Sequence, residues 1–121
     1  MFTGIVEETG KITGISKQNS NTIINVSCSF IDELKINQSV CHNGICLSVF
    51  EIKDGYYQVC AVKETMEKSN LDYLEIGSLI NLERCMKAGD RFDGHFVQGH
   101  VDCTLDCVRV QDLNGSWKFS F

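Results

Sequence analysis

Ile45-Cys46-Leu47-Ser48-Val49-Phe50-Glu51-Ile52-Lys53-Asp54-Gly55-Tyr56-Tyr57-Gln58-Val59-Cys60-Ala61-Val62 is the stretch on which the fold turns. Two runs rich in β-branched and aromatic residues flank Lys53-Asp54-Gly55, and Asp-Gly supplies the positive φ values that a tight reversal needs. The segment therefore reads as an antiparallel hairpin. The same punctuation recurs on either side of it. Proline is absent and glycine numbers 10, so Gly, Asn and Asp must make the turns, at Gly10, Gly14, Asn19 to Asn21, Asn37, Asn43-Gly44, Gly77, Gly89-Asp90, Asp93-Gly94 and Asn114-Gly115. Between them lie the strand-length segments Ile5 to Ile15, Thr22 to Cys28, Ser78 to Arg84, Phe96 to Val110 and Trp117 onward. Lys63 to Asn70 has a helical composition, and Phe30 to Lys35 reads as one further turn. The expected architecture is all-β: a small closed antiparallel barrel with one or two short helices at its open ends.

Composition narrows the function classes. The chain has 121 residues, 43% hydrophobic and 22% charged, which suits one packed domain. Its longest apolar runs are a few residues, against roughly 20 for a membrane-spanning helix, so no membrane association is expected. Eleven basic residues face 16 acidic ones and no segment concentrates positive charge, which argues against a nucleic-acid partner. Seven cysteines without a Cys-x-x-Cys pair read most simply as reduced thiols in a cytoplasmic protein, and the N-terminus carries no signal-like pattern. His95, His100, Cys103 and Cys107 fit no common zinc spacing, so no metal site is expected.

One pattern goes beyond a single barrel. Phe2-Thr3-Gly4-Ile5-Val6-Glu7 returns as Val97-Gln98-Gly99-His100-Val101-Asp102, 95 residues later. A repeat at that offset gives a first unit over residues 1–86, a charged linker over 87–94 and the opening of a second unit over 95–121.

Met1-Phe2-Thr3-Gly4-Ile5-Val6-Glu7 with Gly10 resembles the start of the riboflavin synthase family. The resemblance continues in order through Ser39–Val49, Lys63-Glu64-Thr65 with Asn70-Leu71, Gly77 with Asn81-Leu82-Glu83-Arg84, and Gly94–Asp102. It implies two tandem six-stranded Greek-key barrels, the first complete here and the second only begun, with a trimer-forming helix after them. The implied reaction is the dismutation of two 6,7-dimethyl-8-ribityllumazine molecules to riboflavin and 5-amino-6-ribitylaminopyrimidinedione, without cofactor. The implied ligands are that lumazine and riboflavin. Full-length relatives resemble homotrimers; a dimer or other self-association is expected for this shorter chain.

Carried onto matching positions, the resemblance makes Gly4, Ile5 and Val6 ring contacts through their backbone. It makes Cys46, Leu47 and Ser48 a ligand-facing strand segment with Ser39 beside them, and Cys60, Ala61, Val62, Lys63, Glu64 and Thr65 a strand-to-helix junction offering unpaired backbone and ribityl partners. It adds Gly99, His100 and Val101. His100, Cys46 and Phe2 are the candidates for catalysis, His100 as general acid/base or as hydrogen-bond donor to the ring. Structural readings stand beside these: Phe2 as a buried terminal anchor, Cys46 as a small buried hydrophobe, Glu64 in a solvated first helical turn. The alternative function is a non-catalytic lumazine or flavin binder of the same fold.

Overall fold

The structure, a computed structural model, describes residues 1–121. Strands β1 (Glu8–Gln18), β2 (Asn21–Ser27), β3 (Ser39–His42), β4 (Ile45–Lys53), β5 (Tyr56–Ala61) and β6 (Leu79–Arg84) close into an antiparallel barrel in the order β1-β2-β5-β4-β3-β6. The expected hairpin is β4–β5, with Lys53 opposite Tyr56. Helix α1 (Lys63–Lys68) and single 3-10 turns at Ile31–Glu33 and Asn70–Tyr73 complete this unit. No helix is long and apolar enough to cross a membrane.

Alternation fills the barrel. Val40 and His42 of β3, Ile45, Leu47 and Val49 of β4, and Tyr57, Val59 and Ala61 of β5 are buried. Ser39, Cys41, Cys46 and Ser48 take the opposite face, because neighbouring residues on a strand point to opposite sides. Gly10 lets β1 lie close against β6 and Ser27. A Cβ there would stand 2.5 Å from Leu82 Cδ1 and 3.0 Å from Ser27 O.

β3 is absent from the strand segments expected from sequence. It is four residues long, and its buried His42 breaks the apolar pattern. His42 is accommodated because its polar atoms are satisfied: Nδ1–H donates to Val40 O at 3.0 Å and Nε2 accepts from the Tyr57 hydroxyl at 2.8 Å. Desolvation lowers its pKa to about 4. The folded state thus resists a proton that the unfolded chain accepts near pH 6.5, so stability is full above that pH and declines toward pH 4. The expected loss is on the order of 3 kcal/mol. Urea unfolding at pH 7, 5.5 and 4 measures it, and His42→Leu should flatten the dependence.

Phe96 to Val110, expected as one strand, is not one. Val97 forms an isolated bridge with Phe2, and regular pairing resumes only at β7 (Arg109–Asp112), which pairs with β8 (Trp117–Ser120) in a separate two-stranded sheet. Gly99, at φ +79°, breaks the strand. His95 and His100 therefore share no strand.

The pairing registers of two hairpins stand 95 residues apart, the offset of the sequence match. Gly14 opposite Asn25, Ile15 opposite Ile24, Ser16 opposite Ile23 and Lys17 opposite Thr22 in β1–β2 become Arg109 opposite Ser120, Val110 opposite Phe119, Gln111 opposite Lys118 and Asp112 opposite Trp117 in β7–β8. The left-handed residues correspond as well, Gly4 with Gly99 and Asn19 with Asn114. Trp117 and Phe119, both exposed, stand where the first copy buries Thr22 and Ile24.

Candidate active site

The site begins with two strands that cross. Phe2 and Val97 exchange both backbone hydrogen bonds, at 2.8 and 3.1 Å. His95 N–H donates to Thr3 O at 2.8 Å, and Gly99 O accepts from Cys46 N–H at 2.8 Å. The segment after Val97 is thereby laid across the start of β4, and Gly99 must be glycine to lie so near: a Cβ would sit 2.9 Å from Cys46 N.

Between this segment and α1 lies a cavity of about 250 Å³, lined by Ile45, Cys46, Glu64, Thr65, Lys68, Ser69 and Gly99 to Asp102. A second depression of about 390 Å³ adjoins it through Ile45, Ser69 and Val101, and adds Asn43, Asn70, Thr104 and Asp106. The pair combines hydroxyl, amide and carboxylate groups with a thiol and an imidazole. Lys68 donates to Glu64 at 2.6 Å. That hydrogen bond holds the Glu64 carboxyl below, and the Lys68 ammonium above, the ordinary range.

Six sequence candidates meet here: Cys46, Glu64, Thr65, Gly99, His100 and Val101. Others continue the surface. Ser39 opposes Ser48 on the outer barrel face, and Cys60, partly buried, follows Val59, the β5 partner of Val49. Val62, half exposed, ends that row where Lys63 starts the helix. The structure does not bring the remaining candidates to the cavity. Leu47 and Ala61 are buried among the core residues of the barrel, so only their backbones are available to a ligand. Phe2 is fully buried, which seats it as the anchor of the crossing rather than as a pocket contact.

Gly4, Ile5 and Val6 do not line the cavity: Gly4 and Val6 border a separate depression with Cys41 and Val97, and Ile5 borders another beside Glu83 and Arg84. They stand 95 residues before Gly99, His100 and Val101, the offset at which the sequence matches itself.

Lys68, Ser69 and Asp102 were not among the sequence candidates, although Glu64 and Lys68 carry the i,i+4 spacing of a helical ion pair. Glu83 was missed too. Almost fully buried, it accepts from Thr3 N–H at 2.5 Å, Thr3 Oγ1 at 2.8 Å and Gly4 N–H at 3.1 Å, and so fixes the strand that carries Phe2. A buried carboxylate needs such donors. Arg84 next to it reaches Glu7 at 2.7 Å and Glu33 at 2.6 Å.

A six-stranded barrel with an outer-face pocket, crossed by the segment after Val97, defines a class of small-ligand-binding barrels. The chain belongs to the lumazine binding domain family, whose match covers residues 3–85. It is 40% identical over 117 residues to riboflavin synthase of Bacillus subtilis (strain 168), covering 96% of this chain and 54% of that protein. To riboflavin synthase of Escherichia coli (strain K12) it is 37% identical over 112 residues, covering 91% and 53%. The chain thus spans about half the length of these relatives. Its fold is similar to LumP complexed with 6,7-dimethyl-8-(1'-D-ribityl) lumazine, with TM-score 0.83 and 20% identity over 98% of this chain and 67% of that one. LumP complexed with flavin mononucleotide gives TM-score 0.80 and 21% identity over 92% and 63%.

Proposed function

We propose that this chain is the ligand-binding first unit of a riboflavin synthase, residues 1–86, with a linker over 87–94 and the opening of a second lumazine-binding unit over 95–121. The observation that carries the reading is the gathering of Cys46, Glu64, Thr65, Gly99, His100 and Val101 around one cavity, at positions that match the family's blocks. The ligands are 6,7-dimethyl-8-ribityllumazine and riboflavin, seated against the backbone near Cys46 with the ribityl chain toward Glu64 and Thr65.

The dismutation moves a four-carbon unit between two lumazines, yielding riboflavin and 5-amino-6-ribitylaminopyrimidinedione. The 7-methyl protons are acidic because the ring delocalises the resulting carbanion, so much of the protein's contribution is to hold two rings in reacting geometry. His100 moves protons at the ring and Cys46 assists addition to it. Because Gly4 to Val6 do not line the cavity, the second ring is held by another unit, so the 121-residue chain binds one ligand, self-associates, and turns over little alone. In a form extended through the second unit, Cys46→Ala and His100→Ala should each lower kcat by on the order of a hundredfold with a smaller change in Kd. Steady-state assay and fluorescence titration measure the two quantities.

The same cavity also supports a second reading, a non-catalytic lumazine or flavin binder. Titration of the 121-residue chain and turnover of the extended form separate the two. Binding with turnover in the extended form supports the enzyme, binding without turnover in either form supports the binder, and failure of the folded chain to bind at high micromolar ligand removes both.

A further inference from the structure

We propose that Cys41 and Cys46 form a reversible oxidation site, a cross-strand disulfide made by a low-molecular-weight disulfide, which withdraws the Cys46 thiol from the cavity. All seven cysteines are free thiols. Of these, Cys41 and Cys46 are directly opposed on paired strands, in β3 and β4; no other two cysteines are ladder partners.

Their pairing is of the kind that admits a disulfide. His42 and Ile45 flank the two-residue turn Asn43-Gly44, whose φ values are +49° and +87°, so the next pair out, Cys41 and Cys46, is a non-hydrogen-bonded one. Cys46 accordingly gives its N–H to Gly99 O, away from β3, and β3 turns its odd-numbered backbone groups to β6 through Cys85 N–H to Ser39 O and Asn43 N–H to Asn81 O. Cα atoms in such pairs lie about 4.5 Å apart, inside the roughly 4.4–6.8 Å range of disulfides. Both side chains lie on the outer face, opposite the buried Val40, His42, Ile45 and Leu47.

The two thiols differ in access, which orders the chemistry. Cys46 lines the open cavity, while Cys41 is 4% exposed and burial pushes its thiol up to about 11. The Cys46 thiolate attacks one sulfur of oxidised glutathione, forming a mixed disulfide and releasing one glutathione thiolate. Cys41 then loses its proton and attacks Cys46 Sγ, forming the internal bond and releasing the second glutathione. Two protein thiols are oxidised, one glutathione disulfide is reduced to two thiols, and the two protons pass to them.

Both cysteines fall within the tryptic peptide Ile36–Lys53, which contains no internal Lys or Arg. The folded 121-residue chain is incubated with oxidised glutathione, alkylated, digested and weighed. The expected product is an Ile36–Lys53 peptide two hydrogens lighter than the reduced one, with no alkyl group, restored by dithiothreitol. Titratable thiols fall by two, and the loss disappears in Cys41→Ser and in Cys46→Ser. A peptide alkylated at both cysteines, or one carrying a stable glutathione adduct without the internal link, overturns the proposal from wild-type protein alone, whatever the folding of the variants.

Discussion

Gly99→Ala is expected to weaken riboflavin binding at least about tenfold, or about 1.4 kcal/mol, while the barrel stays folded. Gly99 has φ +79°, which costs an alanine about 1–2 kcal/mol. The added methyl would also meet Cys46 N and Cβ, both at 2.9 Å. Cys46 belongs to the barrel wall, so the crossing segment must be the part that yields, and its departure opens the cavity along Gly99, His100 and Val101. Gly55→Ala isolates the first effect, because Gly55 has φ +83° and a methyl group there would meet nothing within 4 Å; it should lose stability and keep its affinity. Fluorescence titration with far-UV circular dichroism measures both variants. Unchanged affinity in Gly99→Ala would show that residues 99–101 do not bound the ligand site.

Glu83→Ala should release the N-terminal strand, with a stability loss on the order of 3 kcal/mol. Three donors on Thr3 and Gly4 converge on this carboxylate, and hydrogen bonds to a charged group contribute about 1.5–3 kcal/mol each, without simple additivity. Through the Phe2–Val97 pair the loss reaches the cavity, so riboflavin affinity should fall with it. Glu83→Gln keeps one oxygen acceptor in place and should retain part of both. Hydrogen exchange at Phe2, Thr3 and Gly4 reports the release directly, and protection as strong as in the wild type would exclude Glu83 as the fastening point.

The barrel was legible in sequence because its signals are local. Asp54-Gly55 marks a reversal between two alternating runs, and the resemblance supplied the strand count. β3 escaped because four residues carry too little periodicity, and because a histidine at an inward position reads as polar until its two partners are known. Cys46, Glu64, Thr65, Gly99, His100 and Val101 were recoverable as positions in matching blocks. Their common cavity was not, since it depends on a hydrogen bond between residues 46 and 99. The same long-range crossing explains the misplaced ones. Gly4 to Val6 have the right residue types, and only the folded crossing shows that they do not line this cavity. Phe2 carries no mark in sequence that distinguishes an anchor from a contact. Glu83 gave no signal because its three donors lie about 80 residues away.

The crossing also imposes an order in time. β1 can meet β6 once Arg84 has been made, with Glu8 opposite Leu82 closing the ring, and that closure already joins distant parts of the chain, which slows folding. The N-terminal strand then still lacks its partner, for Val97 comes later in synthesis. The start of the chain is therefore fastened in two stages: Glu83 and Met86 can hold Met1 to Gly4, but Phe2 finds its strand partner, and the Cys46 amide its acceptor, only with Val97 and Gly99.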